Sequence, residues 1–233
     1  NGFTANLKTT NFISITMDNK QTVLRTNLSS LISFNNISPK YYQPKDAVER
    51  SALTVFEKIP TEIFKTTQDG VEQIADEIEA LIIDRKKKFQ NCVIGLGAGS
   101  TLRPLFTELI RRHDEKGLSF KNVVLVNLYE YYPLNEQYPR SAFENINELF
   151  LSHVDVPRDH VITFDGSLEQ TQVVEYCRQY EQTIQNLGGL DFTLLSIGRE
   201  GNIAMNEPGS SINSVTRLIL INSVSRQEAA RNI

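Results

Sequence analysis

Two carboxylates and two amides stand close together in the stretch Gly198-Arg-Glu-Gly-Asn-Ile-Ala-Met-Asn-Glu-Pro-Gly-Ser-Ser211. Glu200 and Glu207 can take up or release a proton, whereas Asn202 and Asn206 can only donate and accept hydrogen bonds. The set therefore suits gripping the hydroxyls of a polar ligand, with proton transfer open to the two glutamates alone. Gly198 and Gly201 let the chain bend, and Pro208 biases Glu207 toward an extended backbone that aims its side chain outward. The stretch holds no His, Cys or Asp. An elaborate surface turn explains its Gly and Pro but leaves four polar side chains without a task.

Two other stretches have the character of ligand loops. Gly95-Leu-Gly-Ala-Gly-Ser-Thr101 follows an apolar run and precedes a helical pattern. Backbone N–H groups at Gly97 and Gly99, the hydroxyls of Ser100 and Thr101, and a helix N-terminus together suit a phosphate. The competing reading is a tight turn capped by Ser or Thr, which needs no ligand. The loop lacks the lysine of a P-loop and the spacing of a dinucleotide fingerprint, which disfavours nucleotides. Asn127-Leu-Tyr-Glu-Tyr-Tyr-Pro133 sets Glu130 among three tyrosines. Glu130 is there either an acid, base or hydroxyl acceptor, or a solvated carboxylate on an aromatic rim.

The elements that must position these loops alternate between β and α patterns. Ala47, Leu53, Val55 and Phe56 mark a helix before Pro60, and Val71, Ile74, Ile78, Leu81 and Ile82 mark a second that ends in Lys86-Lys-Lys88. Cys92–Leu96, Val123–Val126, Val161–Phe164, Leu190–Ile197 and Leu218–Ile221 read as strands. Helices are expected around Leu102–Ile110, Phe143–Phe150 and Val173–Leu187, the last closed by Gly188-Gly189. Such alternation predicts an α/β fold, a Rossmann-like three-layer parallel sheet with helices on both faces. Ligands gather at the carboxyl ends of strands in that architecture. The three loops then converge on one rim and one cavity. Residues 1–45, rich in Asn, Ser and Thr, read as an arm or partly ordered lead, and 46–233 as the α/β domain.

Bulk properties exclude several classes. The chain has 233 residues, 40% hydrophobic and 22% charged, with a net charge of −4. That balance offers no basic stripe for nucleic acid and no pull toward anionic membrane. No apolar run reaches the roughly 18–20 residues of a membrane span. Cys92 and Cys177 read as buried apolar residues in a reducing cytoplasm. His113, His153 and His160 lack metal-ligand spacing, so no metal is expected.

The combination Asn-x-x-Glu-Tyr after a strand, then Gly-x-x-Gly-x-Ile-Ala-x-Asn-Glu-Pro-Gly-Ser-Ser, then Thr-Arg, resembles the glucosamine-6-phosphate deaminase (isomerase) family. The resemblance runs from about Thr61 to the chain end. Thr26-Asn-Leu-Ser-Ser30 and Tyr129-Glu-Tyr-Tyr-Pro-Leu134 look like a longer subgroup found in Bacteroidetes-type bacteria. The glycine loop is also similar to that of ribose-5-phosphate isomerase. The resemblance implies conversion of glucosamine 6-phosphate to fructose 6-phosphate and ammonia, without metal or organic cofactor, by a carboxylate base and a ring-opening His. It implies a small-molecule sugar phosphate as partner, no nucleic acid, no membrane, and leaves a homo-oligomer open. It also implies that a phosphate-binding Lys and the last strands of the fold lie beyond Ile233, so the C-terminal part of the fold is expected to be missing.

Carried over residue by residue, the pattern is altered. The family's proton-shuttling Asp falls on Tyr129 and its His on Asn202, while Glu200 takes an Asp position and Glu207 is retained. Gly97, Gly99, Ser100 and Thr101 occupy the phosphate loop, and Arg231 falls on a phosphate-binding Arg. Ser210, Ser211 and Arg217 match an allosteric site, but Ile219 replaces its Lys. An amide does not titrate, and a phenol near pKa 10 is a poor base at neutral pH. Three readings follow: an isomerising enzyme rerouted through Glu130 or Glu200, a non-catalytic sugar-phosphate sensor, or, more weakly, a 6-phosphogluconolactonase-like or ribose-5-phosphate isomerase-like enzyme.

Overall fold

The computed structural model describes residues 45–55, 59, 61–134, 141–198 and 200–232, except the side chains of 54, 228 and 230–232. The expected N-terminal arm thus lies, but for its last residue, outside the described residues. In chain order the elements are α1 (Ala47–Thr54), α2 (Thr67–Lys87), β1 (Cys92–Leu96), α3 (Arg103–Lys116), β2 (Val123–Asn127), α4 (Ala142–Leu149), β3 (Val161–Ile162), α5 (Gln170–Asn186), β4 (Phe192–Thr193) and α6 (Ser223–Asn232).

Local chemistry sets the helix ends. Thr66 and Asp69 form a reciprocal capping box on α2, and Ser141 and Glu144 form another on α4. Gly117 closes α3 at φ 71, a left-handed conformation that glycine adopts at little cost.

The four strands are parallel, in the order β3-β2-β1-β4. Every residue of β1 and β2 is buried, as central strands covered on both faces must be. Ile94, Leu96 and Leu125 face a core built with Ile78 and Ile82 of α2, Phe106 and Leu109 of α3, and Ile146 of α4. Val93, Val124 and Val126 face the opposite side, against Tyr180 of α5. That is the three-layer architecture the alternating pattern predicts. Strand order reverses between β1 and β4, so the loops leaving those strands diverge there and open a crevice.

Three expected strands differ. Leu190–Ile197 pairs only at Phe192 and Thr193, because after Leu194 donates to Gly95 O the chain leaves the sheet for a loop. Leu218–Ile221 forms no strand, and Leu220 is 96% exposed. No described strand lies beside it, and an apolar run becomes a strand only where a neighbour offers backbone partners. Val161–Phe164 likewise shortens to Val161–Ile162.

Candidate functional site

The first loop leaves β1 through Gly97, Ala98 and Gly99 into a 3₁₀ turn at Ser100–Leu102 that leads into α3. Gly97 is required by an aromatic neighbour: a Cβ there would come within 2.7 Å of Tyr129 Cε1. The space beside Gly99 is open. Ser100 and Thr101 are exposed. Gly99 and Ser100, with Arg103, Tyr131, Ser141 and Glu144, are among the residues walling a polar cleft of about 320 Å³. Thr101 does not line it. Arg103 is the cation of this cleft and has no ion pair among the described residues.

The second loop is locked. The Tyr129 hydroxyl donates to Ala98 O, binding the second loop to the first. Burial, with Tyr131 and the Glu130 charge adding to it, pushes the Tyr129 phenol well above the ordinary tyrosine range, so it stays protonated. Burial and then the Glu130 charge push Tyr131 up to about 12. Glu130 accepts four hydrogen bonds: from Tyr131 N at 2.8 Å, Ser141 Oγ at 2.7 Å, Ala142 N at 2.7 Å and Phe143 N at 3.1 Å. Three come from the start of α4, where backbone N–H groups lack partners within the helix. Glu130 is thus a second cap on α4, and its oxygens are occupied by protein donors.

The third loop folds on itself. Gly198 N donates to Asn202 O at 2.8 Å, and the Asn202 amide sits so close over Gly198 that any Cβ there would collide with it. Asn202 is buried, and its Oδ1 has no hydrogen-bond partner among the described residues. Ile203 and Asn206 exchange backbone hydrogen bonds of 3.0 and 2.8 Å around Ala204 (φ 44) and Met205 (φ 68). Two positive φ values in a two-residue turn are costly for side chains other than Gly or Asn. Glu207 accepts from Asn222 N at 3.0 Å, Asn222 Nδ2 at 2.8 Å and Ser225 Oγ at 3.0 Å. Glu200 accepts from the same Asn222 Nδ2 at 2.7 Å.

All three loops lie at the carboxyl rim of the sheet, but they do not share one cavity. The first and second wall the polar cleft. The second and third wall a separate, more apolar cavity of about 1070 Å³, which includes Tyr131, Tyr176, Asn206, Arg217 and Arg226. Glu200, Asn202 and Glu207 line neither. The single cavity expected from the sequence is divided because Tyr129 and Glu130 are tied to the first loop and to α4. Arg231 lies in α6, and its side chain falls outside the described residues.

Other polar groups have structural partners. His113, His153 and His160 each place a ring nitrogen on a backbone carbonyl, of Leu118, Glu148 and Val123. Among the described residues no group of three or more His, Cys, Asp or Glu could hold a metal ion, and no helix is long and apolar enough to cross a membrane. Sequence reasoning missed Arg103, Ser141 and Asn222. The Ser141-x-x-Glu144 box was a local signal for the start of α4. The bonds of Asn222 to Glu200 and Glu207 span 22 and 15 residues and left no local signature.

A parallel sheet of order 3-2-1-4, helices on both faces and polar loops at the strand ends define a Rossmann-like α/β protein with a rim suited to small polar ligands. The family of glucosamine-6-phosphate isomerases and 6-phosphogluconolactonases matches residues 65–231, and the chain belongs to it. A glucosamine-6-phosphate deaminase-like protein of Bacteroides thetaiotaomicron is 47% identical over 89% of this chain and 31% of its own length. Glucosamine-6-phosphate deaminase 1 of Bacillus subtilis is 39% identical over 71% of this chain and 66% of its own length. The structure of a monomeric glucosamine-6-phosphate deaminase superposes with a TM-score of 0.66 at 33% identity, over 73% of this chain and 68% of that one. The chain thus spans about a third of the Bacteroides relative and about two thirds of the Bacillus one.

Proposed function

We propose that residues 46–233 form a sugar-phosphate-binding unit of this family, with glucosamine 6-phosphate as the reference ligand, that binds without deaminating. One observation carries the reading: at the position where the resemblance puts the proton-shuttling Asp, the half-buried Tyr129 donates its hydroxyl to Ala98 O, and desolvation raises its phenol so that it stays protonated. Glu130, the adjacent carboxylate that could replace it, is engaged by four donors at the start of α4. Asn202 holds the position of the family's ring-opening His and does not titrate. Loss of a general acid or base typically costs ~10²–10⁴-fold in rate, and here two are replaced. What supports binding is the open first loop, with Ser100, the Gly99 backbone and Arg103, which has no ion pair among the described residues, around a polar cleft.

The test uses the full chain with glucosamine 6-phosphate. Ligand at a hundred times its Kd stabilises by about 2.7 kcal/mol, a rise of roughly 5–10 °C in Tm for a domain of this size. The expected result is that rise with neither ammonia nor fructose 6-phosphate released. Turnover lost in Glu200→Gln or Glu207→Gln favours the enzymatic alternative and overturns binding without chemistry. No shift with any sugar phosphate removes the reading altogether.

A further inference from the structure

Tyr131 is the one described residue that walls both cavities, the polar cleft of about 320 Å³ and the apolar cavity of about 1070 Å³. The two spaces differ in chemistry. Ser100, Arg103 and Ser141 line the first, whereas Leu128, Phe164 and Ile184 line the second. The cleft is at the small end of ligand pockets, which run from roughly 300 to 1,000 Å³. A molecule held in it therefore has, behind a single side chain, a much larger space that favours apolar groups.

That side chain is held from both flanks. Tyr131 N donates to Glu130 Oε1 at 2.8 Å, and Glu130 is in turn bound to the start of α4. The ring meets that of Tyr129 edge-on, with centroids 6.2 Å apart and 68° between the planes, and Tyr129 is fastened to Ala98 O. Beyond it, Leu134 N donates to Gly166 O at 2.7 Å. A Cβ on Gly166 would lie 2.6 Å from the Leu134 side chain and 3.0 Å from Tyr131 O, so glycine is needed for this close approach. The Tyr131 hydroxyl has no hydrogen-bond partner among the described residues, and the ring is placed without it.

We propose that Tyr131 is a specificity-determining residue: its ring confines the ligand of the polar cleft to a small polar molecule and bars an apolar substituent from the larger cavity. The nature of the ligand rests on the sugar-phosphate reading above; the partition rests on the two cavities and the ring between them.

Methyl phosphate and hexyl phosphate share one head group and differ only in tail, and each methylene buried is worth about fourfold in affinity. Titration of the full chain by nuclear magnetic resonance, followed at the Gly99 and Ser100 amides, reads both, with glucosamine 6-phosphate alongside. In the wild type the ring keeps the tail out, and the two alkyl phosphates should bind within about threefold of each other, less than one buried methylene. Tyr131→Phe keeps the ring and should show the same ratio and the same Tm. Tyr131→Ala joins the two spaces, and hexyl phosphate should then bind at least about tenfold more tightly than methyl phosphate, the effect of burying about two methylenes. Tyr131→Leu preserves more of the packing and should move the ratio in the same direction. A wild-type preference of that size for hexyl phosphate, or a ratio that neither truncation alters, overturns the partition. A shifted ratio with no binding of glucosamine 6-phosphate supports the role of Tyr131 and refutes the sugar-phosphate reading; glucosamine 6-phosphate bound with an unshifted ratio does the reverse. No binding of any of the three refutes both.

Discussion

Replacing Glu130 by Gln separates a helix cap from a catalytic base. Oε1 accepts from Tyr131 N and Ala142 N, and Oε2 from Ser141 Oγ and Phe143 N. A glutamine keeps one oxygen and puts an NH2 in place of the other. With the oxygen toward Tyr131 and Ala142, the NH2 faces a hydroxyl that can turn to accept and a Phe143 N–H that cannot. One part-buried backbone donor is then unpaired, a cost of about 1–3 kcal/mol. Removing a negative charge from the start of α4 adds about 0.3–1 kcal/mol. The total, about 1.3–4 kcal/mol, corresponds to a Tm lower by roughly 3–16 °C. Urea unfolding of wild type and Glu130→Gln, followed by far-ultraviolet circular dichroism, measures it. Stability unchanged to within about 0.5 kcal/mol, the usual range for a surface substitution, would refute the capping role and return Glu130 to the candidate bases.

Three further outcomes follow from the packing. Hydrogen bonds from Arg111, and behind it Arg112, hold the Glu108 carboxyl down to about 2 against the opposing pull of burial. Because the folded value lies below the unfolded one, its contribution is complete above the ordinary glutamate range and is lost as pH falls toward about 2. Glu108→Gln should flatten that acid limb in a stability-versus-pH series, and an unaltered limb counts against the assignment. Gly97→Ala drives a methyl into the Tyr129 ring and should cost about 1–3 kcal/mol in urea unfolding, an effect that Tyr129→Leu in the same chain should relieve; equal stabilities in wild type and Gly97→Ala refute the close contact. Tyr180→Phe leaves Asn127 O and Ile162 O without the hydroxyl whose single proton they share at 2.8 and 3.0 Å, and should cost about 1–3 kcal/mol; no measurable loss contradicts that arrangement.

The layered sheet was legible because its signals are local. Helical spacing at Val71–Ile82 and the cationic run after it located α2, and the apolar run Cys92–Leu96 coincides with β1. Leu218–Ile221 is wholly apolar and Leu190–Ile197 mostly so, as β1 is, yet pairing depends on which strands lie alongside, information absent from the segments themselves. The site was half legible for a related reason. Residue types placed the ligand loops at strand ends, but the partners of each side chain come from elsewhere: Glu130 from a helix start 11–13 residues on, Gly97 from a ring on the next strand's loop, Glu207 from Asn222. A carboxylate's type shows that it can bear a proton; only its neighbours decide whether its lone pairs are free.

The Tyr129–Ala98 bond and the Asn222 bridge fasten the rim as two separate clasps, and among the described residues no hydrogen bond joins one clasp to the other. A molecule lodged in the polar cleft alone would slow amide exchange around Ala98 and Tyr131 and leave Gly201 and Asn222 exchanging as before. One long enough to reach both would quiet the two together, so the pattern of exchange measures how far along the rim a ligand extends.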